Sequence, residues 1–275
     1  LRSECVKKGQ LTPHYHYVSR PPFTEAEAVR RAIYLAGQTD TPLYIAHMTC
    51  REAIAELQKA KGTGQRVSGE TCTHYLTTTK EVLDNPDFNE AAKFVCSPAL
   101  RDREDCEALW QALSDGLLTA VSSDHCGIDV AELKQAGRND FTQIPNGSPG
   151  AGDRLHMVWT EGVCTGKLTR QKFVDVIATQ PAKINGIYPR KGTLAVGSDA
   201  DVVIFDPNYE GTVHLADNPN GVDYNLYEGR RQSGRVETVL LRGQVVVENA
   251  KFVGRYGQGK FIPANMYASG YENRN

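Results

Sequence analysis

Short apolar runs that alternate with amphipathic helical stretches constrain this chain more than any other feature. Runs suited to strands occupy residues 42–47, 66–72, 93–97 and 118–123. Helical patterns occupy 24–37, with Thr24 as the expected cap, then 51–61, then the stretch carrying Cys106, Leu109, Trp110 and Leu113. Strands separated by helices of this length predict parallel βαβ units, because a parallel crossover needs a helix-sized connection. Three of the runs finish in polar groups, His47, Ser97 and Asp124, and the run through Gly69 carries Glu70. In an α/β barrel such strand ends collect on one rim, where catalytic groups sit.

A lone histidine after a strand is more often a hydrogen-bonded structural residue than a ligand. Together, His47 and Asp124 read as half of a metal site, because neutral imidazole and carboxylate suit zinc or a similar divalent ion. Such an ion brings the pKa of its bound water to about 7. The sequence Ser122-Ser123-Asp124-His125-Cys126 also interrupts a buried run with polar groups that need partners. His14-Tyr15-His16 follows Leu11-Thr12-Pro13 rather than an apolar strand and reads as a loop feature. Gly62-Thr63-Gly64 lacks the flanks of a phosphate-binding loop and reads as a helix-terminating turn. His74, His156 and His214 read as structural or surface residues.

Residues 141–150 are too rich in Pro and Gly for regular structure and predict a long ordered loop that presents backbone groups to a ligand. Helices are expected to resume at 154–163 and, capped by Thr169, at 170–179. The texture then changes to a small β unit, with runs at 202–205, 236–241 and 244–248 and Arg242-Gly243 as a tight hairpin turn.

A formal net charge of −2 over 275 residues offers no basic face, so neither nucleic acid nor an acidic membrane is expected as a partner. No apolar run approaches the ~18 residues that cross a bilayer. With no charged-then-apolar leader in the opening residues, a cytoplasmic location is expected. The seven cysteines have no close paired spacing and read as reduced and mostly structural. Residues 1–8 resemble the middle of a helix rather than a capped start, which predicts a fragment of a longer protein.

The ordered motifs Tyr44-Ile45-Ala46-His47-Met48-Thr49, Gly69-Glu70-Thr71-Cys72-Thr73-His74-Tyr75-Leu76, Cys96-Ser97-Pro98-Ala99-Leu100-Arg101, Ser123-Asp124-His125-Cys126, Ile144-Pro145-Asn146-Gly147-Ser148-Pro149-Gly150 and Gly197-Ser198-Asp199-Ala200-Asp201 are of one kind. With Tyr188-Pro189-Arg190-Lys191-Gly192-Thr193, they make a chain that strongly resembles the dihydropyrimidinase and D-hydantoinase family of cyclic amidohydrolases. The resemblance implies an α/β fold. Residues 1–190 would form a partial (β/α)8 TIM-like metal-dependent hydrolase barrel, 191–262 part of a small β-sandwich, and 263–275 a carboxyl-terminal tail.

The same resemblance implies Zn2+, as a pair of ions bridged by a carboxylated lysine that is not in this chain. His47 would bind one ion. Asp124 would bind the other and act as the catalytic proton shuttle. Ser97 and Asn146 would hold the substrate, a small cyclic imide or amide. The implied reaction is hydrolytic opening of a dihydropyrimidine or 5-substituted hydantoin to an N-carbamoyl amino acid, in a homo-oligomer that is commonly a tetramer in this family. The family's paired histidines, bridging lysine, oxyanion-stabilising tyrosine and further histidine ligand match nothing here. Smaller departures are His74, where the motif usually carries Pro-Gln before the tyrosine, Gly127 in place of Pro and Gly152 in place of an acidic residue. The alternatives are a catalytically silent assembly protein of the same fold, such as the collapsin-response mediator proteins, or a related cyclic amidase such as allantoinase.

Overall fold

The protein is described by a computed structural model covering residues 1–217 and 220–265. The expected tail at 263–275 lies outside the described residues from 266 onward. The chain divides into two compact units, one of residues 1–155 with 212–230, the other of 156–211 with 231–275.

The first unit opens with α1 (Arg2–Lys7), α2 (His14–Val18) and α3 (Pro22–Gln38), followed by β1 (Leu43–Ile45), α4 (Arg51–Gly62) and β2 (Val67–Cys72). It continues with α5 (Thr73–Thr77), α6 (Phe88–Ala92), α7 (Arg103–Ser114) and β3 (Ala120–Ser122). The strands lie in the order β1-β2-β3, all parallel, with Ile45 opposite Gly69 and Cys72 opposite Ser122. The expected βαβ alternation is therefore present. Helix α4 buries Ala53, Ile54, Leu57 and Ala60, and α7 buries Cys106, Leu109, Trp110 and Leu113. That spacing of three and four puts one stripe of each helix into the core. Each fully buried leucine contributes roughly 1.5–3 kcal/mol from transfer out of water.

Three local expectations change. Residues 93–97 do not form a strand, because their carbonyls are taken by other groups: Gly147 N–H donates to Val95 O at 3.0 Å, and Ser148 Oγ donates to Lys93 O at 3.0 Å. Helix α3 starts at Pro22, ahead of Thr24, since proline's fixed φ suits a first turn and its missing N–H costs nothing there. His14-Tyr15-His16 lies in the short α2 rather than a loop: His16 Nε2 contacts Cys96 O at 2.7 Å, and His14 Nδ1 contacts Asp84 at 2.6 Å. Both imidazoles are engaged by these contacts.

The second unit begins within α8 (Arg154–Val158), which continues through a π-helical turn at Trp159–Val163. Its next helical stretch runs from α9 (Arg170–Val174) through a second π-helical turn into α10 (Gln180–Ile184). Thr169 caps α9 as expected, its side chain accepting from Lys172 N–H at 3.1 Å. A four-stranded sheet follows in the order β4 (Val202–Thr212), β5 (Arg231–Leu241), β6 (Gln244–Glu248) and β7 (Lys251–Phe252). Arg242 and Gly243, at φ of 49° and 78°, make the expected two-residue hairpin between β5 and β6. Trp159 packs on Phe173 and Phe205, with ring centroids 5.3 and 4.9 Å away. Gly234 of β5 leaves the room for that cluster, since a Cβ there would sit 2.5 Å from Phe205.

One buried ionic network ties the first unit together. Glu25 of α3 accepts from Thr49 N–H at 2.7 Å, from the Thr49 hydroxyl and from Arg101 Nη2 at 3.0 Å. Arg101 Nε also donates to Thr49 Oγ1 at 2.9 Å, and Nη1 donates to Arg20 O. The two charged side chains are only 5% and 10% exposed. Removing one partner of such a pair strands a buried charge, so R101M is expected to destabilise the fold by about 3–5 kcal/mol. The double variant E25L/R101M should recover most of that loss in urea unfolding, and a double variant as unstable as R101M alone would refute this account.

Candidate metal centre and substrate rim

Because β1, β2 and β3 are parallel, their carboxyl ends share one edge of the sheet. His47 lies two residues beyond β1 at φ 42°, and Asp124 two residues beyond β3 at φ 44°. A left-handed backbone at a non-glycine residue costs about 1–3 kcal/mol and persists only where its surroundings hold it. Hydrogen bonds do so on both sides: Met48 N–H donates to Glu70 O at 2.8 Å, and Cys126 N–H donates to Ser148 O at 3.0 Å. Glu70, the other polar group of this edge, is engaged by Tyr44, whose hydroxyl donates to it at 2.6 Å.

Between these two ends β2 supplies Cys72, which is fully buried, and α5 supplies His74, which is 3% exposed. Donor atoms of Cys72, His74 and Asp124 all lie within 4.8 Å of one another, and Asp124 is exposed. Cys72 Sγ is 3.2 Å from Ser122 Oγ, while the buried Nε2 of His74 meets no hydrogen-bond partner. Burial, and secondarily the neighbouring His47, pull the His74 pKa down to about 3, so the imidazole is neutral. Burial likewise raises the Cys72 thiol well above its usual range.

Ser97 and Asn146 come together as a pair: Ser97 Oγ donates to Asn146 Oδ1 at 3.1 Å. A cavity of about 600 Å3 is lined by His47 and Ser97 along with Tyr44, Glu25 and Arg101. His47 therefore shares a wall with Ser97, whereas Asp124 sits in the three-donor group with Cys72 and His74. The segment expected to be a loop over 141–150 begins with a 3-10 turn at Phe141–Gln143 and is irregular only from residue 144 onward. Its Gly147 has φ 156°, and a Cβ there would lie 2.8 Å from Cys126 O.

The sequence reading missed two participants. His74 had one visible signal, its departure from the usual motif. Lys134 had none. Its buried ammonium donates to Ala92 O and Gly147 O, both at 2.7 Å, and to Val95 O at 3.3 Å, clamping the backbone on either side of the Ser97–Asn146 pair. Burial pulls the Lys134 pKa from 10.5 to about 8. Between about pH 8 and 10.5 the unfolded chain therefore binds more protons at this group than the folded one, and the contribution of Lys134 to the stability of the fold rises with pH, against the opposite contribution of buried thiols such as Cys72. K134M is expected to flatten that rise in denaturant unfolding followed from pH 7.5 to 10.5, and an unchanged slope would refute the assignment.

Residues 27–246 match the Amidohydrolase family. A D-hydantoinase of Ralstonia pickettii is 47% identical over 267 residues, which are 97% of this chain and 58% of that protein. A dihydropyrimidinase of Arabidopsis thaliana is 39% identical over 95% of this chain and 49% of its own length. Among solved structures, a D-hydantoinase superposes with a TM-score of 0.95 at 47% identity, covering 98% of this chain and 58% of that one. The dihydropyrimidinase from Brevibacillus agri NCHU1002 superposes with a TM-score of 0.94 at 42% identity, covering 99% and 58%. The chain thus spans 49–58% of the length of these relatives, and its parallel sheet and separate antiparallel sheet correspond to a partial barrel with a β domain.

Proposed function

The chain belongs to the amidohydrolase family, and from that premise we propose that it is part of a metal-dependent enzyme that opens cyclic amides, dihydropyrimidines or 5-substituted hydantoins, to N-carbamoyl amino acids. The observation that carries this reading is the pair His47 and Asp124, each held in a left-handed backbone at the end of a parallel strand. The proposal also takes residues 1–190 as barrel and 191–262 as sandwich, and places the protein in the cytoplasm as a tetramer. No helix of the described residues is long and apolar enough to cross a membrane.

The donor chemistry fits a zinc-like ion: His47 offers an imidazole and Asp124 an exposed carboxylate at the same carboxyl-terminal edge of the parallel sheet. His47 would hold one Zn2+ and Asp124 a second, and a carboxylated lysine bridging the two matches no residue of this chain. When bound, such ions lower the pKa of water to about 7 and polarise a carbonyl. Asp124, exposed at the rim, would take up the proton lost by a water whose oxygen bonds to the ring carbonyl carbon, and pass it to the ring nitrogen as the carbon–nitrogen bond breaks. Ser97 and Asn146 hold the imide edge of the ring, aided by the backbone of the clamped 144–150 loop.

A catalytically silent assembly protein has no chemical need for strained polar residues at two strand ends, so the enzymatic reading is favoured over it. An allantoinase-like ring is ranked lower because the 96–101 and 144–150 motifs resemble dihydropyrimidinases. Hydrolysis of dihydrouracil and hydantoin, measured with zinc content on the protein in its native reading frame, tests the proposal. D124A should lower turnover by about 10²–10⁴-fold while leaving the circular dichroism spectrum unchanged. Turnover retained in D124A would remove its role.

A further inference from the structure

We propose that Cys72, His74 and Asp124 form a metal site of this chain's own, which takes one thiophilic divalent ion without any other protein donor. The inference goes beyond the proposed function: of the ligands that reading uses, it shares only Asp124.

Three features of the cluster converge on it. First, the donor set is one buried thiol, one buried imidazole and one exposed carboxylate, all within 4.8 Å of one another. Bonds of about 2.0–2.3 Å to a tetrahedral ion place donors roughly 3.3–3.8 Å apart, so closure requires side-chain movements of about 1 Å. Secondly, the Nε2 of His74 is buried without a partner, a state that costs about 1–3 kcal/mol unless a ligand relieves it. His74 is packed against the Tyr75 ring at 4.1 Å, which holds the imidazole plane in place. Thirdly, the shell around the donors is suited to a bound thiolate, since Ser122 Oγ lies 3.2 Å from Cys72 Sγ and can donate to it.

The chemistry of the set selects the ion. A sulfur donor beside an imidazole favours Zn2+ or Co2+ over the hard ions Mg2+ and Ca2+. A dipositive ion is balanced by the thiolate and the Asp124 carboxylate, leaving the site neutral. Three protein donors leave a fourth position for water or a ligand atom, the pattern of zinc sites that do chemistry rather than hold a fold. Exposed Asp124 gives the ion a way in.

Cobalt alone is the probe. The purified, reduced and metal-free 275-residue chain is dialysed against Co2+, with bound metal measured by elemental analysis and the near-ultraviolet thiolate-to-cobalt charge-transfer band recorded. One ion per chain is expected, with that band present. H74Q and H74N should each weaken Kd by about 100-fold or more, C72S should abolish the band, and C164S, at an exposed thiol outside the cluster, should leave both readouts in place. Near-ultraviolet circular dichroism reports whether each variant stays folded. Bound cobalt without the band, or a Kd that does not respond to H74Q and H74N, would overturn the inference while leaving the metal-dependent reading intact. Absence of any bound ion would also overturn it, and dihydrouracil turnover would still decide the proposed function separately.

Discussion

The buried pairing of Glu25 with Arg101 and Thr49 is the constraint on which the first unit depends. It joins α3, the turn after β1 and the segment after Ser97, three pieces that no strand ladder connects. Ion pairs of low exposure are weak contributors to net stability, because desolvation offsets most of the attraction. They are strict about geometry, however, and arginine's planar fork satisfies several acceptors only in one arrangement. Two residues upstream of Thr49 is His47, and four upstream of Arg101 is Ser97, both on the wall of one cavity. The network thus sets the spacing between a metal-ligand candidate and a substrate-binding candidate from behind.

Much of this fold can be read from local pattern because local pattern causes it. The stripes Ala53-Ile54-Leu57-Ala60 and Cys106-Leu109-Trp110-Leu113 bury because helical geometry lines them up, and the Arg242-Gly243 turn follows from the φ values its two residues must adopt. What escaped reading depends on partners distant in sequence. The apolar 93–97 run looks like a strand, but its carbonyls are claimed by Lys134, Ser148 and Gly147, which the run itself cannot announce. His74 carries no periodic signal, and its importance comes from burial beside Asp124, 50 positions away (124 − 74).

The site residues follow the same division. His47 and Asp124 are visible as polar ends of apolar runs, and a parallel sheet obliges such ends to share an edge. The left-handed backbone at both is a tertiary product, stabilised by Glu70 O accepting from Met48 on one side and Ser148 O accepting from Cys126 on the other. The Ser97–Asn146 hydrogen bond is likewise a meeting of two loops, and it exists because a lysine with no sequence signature gathers the carbonyls of both.

The ladder between β2 and β3 has a consequence for how the molecule assembles. Cys72 and Ser122 face each other across 50 positions of intervening chain, so this register forms only after a long segment has been closed and its entropy lost. Bringing together the donors at the strand ends carries that closure cost, which the contacts of the finished sheet must outweigh. A ligand that needs all of them at once meets them only where that closure has been made. It acts by mass action on the finished sheet, making its opening rarer and lengthening the life of the state in which the rim is intact.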